Sequence, residues 1–295
     1  MGQGSTRVKS TPSRMATYLR LGRVSNLPTV WTNTLCGVVL ASSGGGVLGF
    51  GVLKTALLAS IMSLFYVAGM FLNDAFDRDI DAKERPDRPI PAGHVAAREV
   101  FTLGFGMIGA AEILLFLQAG YLAALAGAAL AGNIVLYDMW HKKNPLSPFL
   151  MGGCRVMVYV TSAIAAGALN WAVLAGAAAL FCYLIGLTYV AKHEGKSAPL
   201  WPLVLLAVPF VKESDAVARG FVGPVIYFAF VTLVGWCVTM IWSKKNVGQA
   251  IVALICGISL LDGLLLAGAG HTFAAACAGG GFFATRAMQR WVRGT

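Results

Sequence analysis

Three observations in the sequence predict an all-α protein, a polytopic transmembrane helical bundle. Of the 295 residues, 57% are apolar and only 12% are charged, against about 25% charged in an ordinary soluble domain. The shortage of charge is concentrated, because residues 24–53, 55–73, 113–137, 156–191, 220–243 and 263–285 contain no Asp, Glu, Lys or Arg. The basic residues then cluster between alternate apolar runs. Nineteen of the 23 Lys and Arg lie at 1–23, 78–98, 142–143, 192–196, 244–245 and 286–293.

Each observation limits the architecture. A helix needs about 20 apolar residues to cross a bilayer, and most of the charge-free runs reach that length. A barrel strand would alternate in polarity; these runs do not. The alternating basic clusters follow the positive-inside pattern and predict a cytoplasmic N-terminus. For a bacterial chain the membrane would be the inner or plasma membrane. The basic clusters also explain the net charge of +10 without nucleic acid as a partner. The six cysteines fall in apolar runs with no C-x-x-C pair, and read as small buried hydrophobes.

Spans are expected at about 24–44, 52–72, 99–117, 119–138, 148–168, 171–191, 198–212, 220–242, 249–268 and 271–288. This is nine core helices and a tenth, C-terminal segment. The run 198–212 is short and holds Pro202 and Pro209, so it reads as kinked or re-entrant. Residues 1–23 form a basic cytoplasmic leader and 24–295 a single transmembrane domain. Connections such as Gln118-Ala-Gly120 are minimal, whereas 73–99 is long, charged and rich in proline. Function is therefore expected on the side of the basic loops.

That long loop opens with Asn73-Asp74-Ala-Phe-Asp77-Arg78-Asp79-Ile-Asp81. Steps of four put Asn73, Asp77 and Asp81 on one helical face, with Asp74 beside them. Carboxylates this close repel one another, and a divalent cation would offset the repulsion. An all-oxygen set suits a hard cation, and Mg2+ combines one or two carboxylates with substrate phosphates. The spacing thus points to a diphosphate site at the membrane surface. It is equally open, on spacing alone, to a solvated acidic loop with local arginine pairing.

The run N-D-x-x-D-x-x-x-D from Asn73 to Asp81 resembles the first acidic motif of the UbiA superfamily of intramembrane prenyltransferases. Arg88-Pro-Ile-Pro-Ala-Gly93 is similar to the R-P-I-P-S-G run that follows that motif. Arg23-Val-Ser-Asn26-Leu-Pro28-Thr-Val-Trp31-Thr-Asn33 looks like the family's first helix, and Tyr137-Asp138 with Lys142 and Lys143 stands where the family has a tyrosine and a basic residue. The resemblance implies prenyl transfer from a prenyl diphosphate to an aromatic or lipidic acceptor in the bilayer, assisted by Mg2+. It implies metal and diphosphate binding at Asn73, Asp74, Asp77 and Asp81, with Asp77 and Asp81 catalytic. Lys142, Arg155 and Lys192 become diphosphate contacts, and Arg23, Asn26, Asn33 and Tyr137 substrate contacts.

The family's second acidic motif is missing. Its place reads Lys192-His193-Glu194-Gly195-Lys196. Glu194 is the one carboxylate left for the cofactor, and the lysines either supply fixed positive charge or are ordinary loop residues. Four further ionisable residues sit within or at the ends of spans: Glu112, Asp138, Arg155 and Asp262. Charge in a bilayer is costly and marks function by default. Arg155, near the start of the fifth span, reads as a diphosphate ligand or a partner of the acidic motif. Glu112 and Asp262 read as interhelical hydrogen-bonding groups, His141 and His271 as interfacial, and Tyr159 and Tyr189 join Tyr137 as lining for a prenyl pocket. Two other functions fit the pattern less well. One is a terpene cyclase on the same scaffold. The other is a transporter, which should show related halves with interrupted helices.

Overall fold

The computed structural model describes residues 13–42, 50–142, 144–192, 201–212, 214–218, 220–243 and 246–292. The described residues form eleven α-helices. These are α1 (Arg14–Leu21), α2 (Leu27–Ala41), α3 (Val52–Phe76), α4 (Arg78–Glu84), α5 (Ala97–Trp140), α6 (Ser147–Ala165), α7 (Trp171–Lys192), α8 (Trp201–Lys212), α9 (Val222–Trp242), α10 (Val247–Gly268) and α11 (Thr272–Met288). Six of them, α3, α5, α6, α7, α9 and α10, are long and apolar enough to cross a membrane.

The α5 element contains two spans. Gly120 at its middle has φ 79° and ψ −174°, a conformation open to glycine and strained for other residues. The chain doubles back there. A Cβ added at Gly127 would lie 2.7 Å from Leu115 Cδ2 and 3.0 Å from Glu112 Oε1, whereas 15 residues of straight helix extend about 22 Å. The expected turn at 118–120 is therefore present. The α8 helix has 12 residues with Pro209 inside, about 18 Å of helix against a hydrocarbon core of about 30 Å.

Helix α2 lies inside the bundle and packs against α3, α6, α7, α10 and α11. Pro28 sits in its first turn, where the missing N–H costs no hydrogen bond. Close approach of α2 to α6 depends on Gly37, whose added Cβ would meet the Tyr159 carbonyl oxygen at 2.7 Å. Helix α10 is buried along nearly its whole length, in keeping with its apolar character all round.

The leader is more than a basic tail. Ser13 caps α1 through a 3.2 Å hydrogen bond from the Ala16 N–H to its Oγ, the usual role of serine at that position. Leu21 is fully buried in a cluster with Phe71, Ala75, Val95 and Val100, and Ile90 packs against it. The apolar side of α1 thereby folds onto the end of α3, and the proline-rich loop closes over the same place. Arg23 follows with φ 42°, an uncommon left-handed conformation for a residue with a side chain.

Candidate active site

The acidic motif stays helical through a break. Helix α3 ends at Phe76 and α4 starts at Arg78, yet the Asp77 N–H donates to the Asn73 carbonyl at 3.0 Å and the Asp81 N–H to the Asp77 carbonyl at 2.8 Å. Asn73, Asp77 and Asp81 therefore keep the register that their spacing predicts. None faces bulk solvent: Asn73, Asp74, Asp77 and Asp81 are all buried.

Each aspartate of the motif has drawn in a basic group, because a carboxylate removed from water needs a counter-charge. Arg88 Nη1 donates to Asp81 Oδ2 at 2.7 Å and to Asp74 Oδ1 at 3.0 Å. Arg23 Nη2 reaches Asp74 Oδ1 at 2.9 Å and Asn73 Oδ1 at 3.3 Å. His141 Nε2 and Lys142 Nζ lie 3.2 and 3.4 Å from Asp77 Oδ2. Burial pushes the Asp77 carboxyl up, but the His141 hydrogen bond and the charges of His141 and Lys142 outweigh it and hold the group below the usual carboxylate value. The R-P-I-P-A-G run aims Arg88: the Ala92 N–H donates to the Arg88 carbonyl at 2.9 Å, and Gly93 with φ 75° completes the turn.

The polar layer opens on an apolar cavity of about 280 Å³ walled by α2, α3, α5, α6, α7 and α10. Phe65, Tyr66, Leu130, Val158, Leu184 and Ile258 are among its apolar lining. Arg23 and Asp138 belong to both parts. Both line the cavity, while Asn73 Nδ2 donates to Asp138 Oδ1 at 3.1 Å and Arg23 binds the motif as above.

A second network lies deeper. Arg155 Nη1 donates to Asn33 Oδ1 at 3.0 Å, and Asn33 Nδ2 donates to Asp262 Oδ2 at 2.8 Å. The Tyr159 hydroxyl donates to Asp262 Oδ1. The Arg155 guanidinium lies 5.2 Å from the centre of the Tyr66 ring, within cation–π range. A charge inside the bundle is thus held by an amide bridge to a carboxylate and by an aromatic face.

The residues singled out in the sequence separate accordingly. Arg23, Asn26, Tyr137 and Arg155 line the cavity. Asn73, Asp74, Asp77 and Asp81 form the buried polar layer beside it, and Lys142 joins that layer through Asp77. Asn33 stands behind Arg155 and does not line the cavity. The side chain of Lys192, and Glu194 and Lys196 entirely, fall outside the described residues. Tyr159 and Tyr189 are not lining residues: Tyr159 serves Asp262, and Tyr189 donates to the Pro145 carbonyl. His141, at the end of α5, pairs with Asp77. Glu112 packs against Gly127, and its Oε1 has no hydrogen-bond partner. Arg88 and Asp138 carry more of the site than the sequence reading gave them. A signal for Arg88 was its place seven residues after Asp81, among turn-forming prolines.

Residues 30–294 match the model of the UbiA prenyltransferase family. The chain belongs to the UbiA prenyltransferase family. UbiA relatives include digeranylgeranylglyceryl phosphate synthase of Metallosphaera sedula, 30% identical over 125 residues that cover 42% of this chain and 42% of that protein. Another is protoheme IX farnesyltransferase of Methylocella silvestris, 33% identical over 148 residues covering 47% and 43%. The chain matches about half the length of the curated relatives. Among solved structures, the apo structure of a UbiA homolog from Aeropyrum pernix K1 aligns with a TM-score of 0.66 at 17% identity, over 83% of this chain and 96% of that one. A structure from work on digeranylgeranylglyceryl phosphate synthase in membranes aligns with a TM-score of 0.58 at 18% identity, over 88% and 99%. At these identities the likeness is one of fold.

Proposed function

We propose that this protein is an intramembrane prenyltransferase. It takes a prenyl diphosphate with the diphosphate at the polar layer and the chain in the apolar cavity, and transfers the prenyl group to a hydrophobic, aromatic or lipidic acceptor. The observation that carries this reading is the direct join between the two environments at Arg23 and Asp138. A prenyl diphosphate has the same division: a highly charged head on a wholly apolar chain.

Magnesium fits the donor set. Among the described residues no group of three or more His, Cys, Asp or Glu forms a ready-made metal cage. Magnesium does not require one, since it works with one or two carboxylates and completes its shell with phosphate and water. Asp81 Oδ1 is buried without a hydrogen-bond partner, as a carboxylate oxygen reserved for a cation would be. On this reading Asn73, Asp74, Asp77 and Asp81 hold the ion, which when bound offsets charge on the diphosphate.

The chain's own groups do the rest. Arg23, Arg88 and Lys142 supply fixed positive charge beside the departing diphosphate. The apolar walls exclude water from an allylic cation, and the Tyr66, Phe65 and Tyr137 rings offer it their faces. Arg155 faces the same cavity and contacts either the diphosphate or the acceptor. The side bearing the basic loops is the cytoplasmic side.

The test is incubation of purified protein with Mg2+, a ladder of prenyl diphosphates and a lipid extract, followed by diphosphate release and mass spectrometry of the lipids. Release together with prenylated acceptor is expected. Release accompanied only by a cyclised hydrocarbon would replace transfer with cyclisation. No release above a heat-inactivated control, at any chain length, would overturn the reading.

A further inference from the structure

Among the described residues, Asp138 is the one carboxyl group of the polar layer without an ion pair. It sits near the end of α5, on a different helix from the acidic motif, and is 3% exposed. Its Oδ1 accepts only from the neutral amide of Asn73. Its Oδ2 is buried and has no hydrogen-bond partner, although the residue lines the cavity. No ion pair reaches it among the described residues, whereas Asp74, Asp77 and Asp81 each have at least one within 3.4 Å.

Asp138, Asn73, Arg23, Asp74, Arg88 and Asp81 form one continuous hydrogen-bonded chain. It holds two guanidiniums and three carboxyl groups, and Asp138 lies at the end farthest from Arg88. A diphosphate bound at the polar layer would bring negative charge close to this carboxyl group. In a low-dielectric site two like charges a few ångströms apart repel strongly. A hydroxyl donor could satisfy the oxygen but could not offset the repulsion, whereas a divalent cation shared by Asp138 and the diphosphate does both.

We propose that Asp138 is a further carboxylate ligand of the divalent cation that accompanies the prenyl diphosphate, supplied from α5 beside Asn73 of the acidic motif. The proposal rests on the prenyl diphosphate reading above. It gives this chain an acidic group from a second helix beside the first motif, where the loop after α7 has only Glu194 among its cations. Asn73 then acts partly as a positioning residue, turning Asp138 toward the ion.

The experiment measures Mn2+ binding by electron paramagnetic resonance, with purified full-length protein and farnesyl thiolodiphosphate, an analogue that resists cleavage. Wild-type protein should bind Mn2+ in the presence of the analogue. Asp138→Asn should weaken that binding by at least about tenfold, the lower range for disturbing a metal's immediate support. Asp79→Asn, at a side chain 82% exposed, should leave it unchanged. Asp138→Glu keeps an oxygen donor but moves it by one methylene, so the spectrum of bound Mn2+ should change shape. Affinity within twofold of wild type in Asp138→Asn, or an unaltered spectrum in Asp138→Glu, overturns the proposal alone. No analogue-dependent Mn2+ binding by the wild type overturns it together with the metal-assisted reading of the site.

Discussion

The Arg88 guanidinium reaches Asp81 at 2.7 Å and, with the same nitrogen, Asp74 at 3.0 Å. One side chain from the proline-rich loop therefore ties the end of α3 to α4. Arg88 is 15% exposed and Asp81 1%, so this is a buried ion network. Removing one partner of such a network costs about 3–5 kcal/mol, chiefly because charge is left behind unpaired. Arg88→Ala should lower the melting temperature in detergent by several degrees and suppress activity. Arg88→Lys should recover part of the loss, since a single nitrogen makes both contacts and an ammonium is also a one-nitrogen donor. A fully stable Arg88→Ala protein would show that the aspartates relax into other contacts.

Asp77 offers a pH test. Its carboxyl is held below the ordinary value by His141 and Lys142 against the opposing effect of burial. A group with a depressed folded-state value stabilises the fold above its unfolded value, and that contribution disappears as pH falls through the folded one. The melting-temperature gap between wild type and Asp77→Asn should therefore be present at pH 7. It should close as the pH drops below about 4, the ordinary carboxylate value. A gap that widens on acidification would contradict this assignment. At pH 7, addition of EDTA should abolish wild-type turnover, and Asp77→Ala should show no turnover with or without Mg2+.

Asp262 tests the deeper network. It is fully buried and takes hydrogen bonds from Asn33 and Tyr159, while Asn33 in turn accepts from Arg155. Asp262→Leu removes both acceptor oxygens and leaves two buried donors unsatisfied, at about 1–3 kcal/mol each. Asp262→Asn retains one acceptor and should cost less. Thermal melts of the two variants, with Arg155→Met beside them, should rank Leu as the most destabilising at position 262. Equal melting of the Leu and Asn variants would remove the hydrogen bonds from the account.

Helix contact gives the last test. Gly37→Ala would drive a Cβ to 2.7 Å from the Tyr159 carbonyl oxygen and 2.9 Å from Ser162 Cβ. Overpacking of this kind costs about 1–3 kcal/mol. Gly132 on α5 has nothing within 4 Å of an added Cβ, and Gly132→Ala should be neutral or slightly stabilising because alanine is the better helix former. Similar behaviour of the two variants in unfolding assays would argue against α2 and α6 touching at Gly37.

Much of the architecture was legible because its causes are local. A run without charge, such as 156–191, specifies apolar helix whatever surrounds it. Gly120 predicts its own turn, and the steps of four from Asn73 to Asp81 predict their shared face. The leader was less legible. Leu21 and Tyr18 are ordinary residues of a basic segment, and only contact with Phe71 and Val100 makes α1 part of the bundle. The sequence by itself determined the helical class of the protein, its long apolar runs and the existence of an acidic motif, since periodicity and hydrophobicity are properties of neighbouring residues. Only the tertiary structure decided which donor meets which carboxylate. Arg23 with Asp74, His141 with Asp77 and Asn33 with Asp262 are 51, 64 and 229 residues apart, and electrostatic pairing across such distances depends on how helices pack. The same packing left Asp138 at the cavity wall with an oxygen unpartnered, a condition that no spacing within α5 encodes.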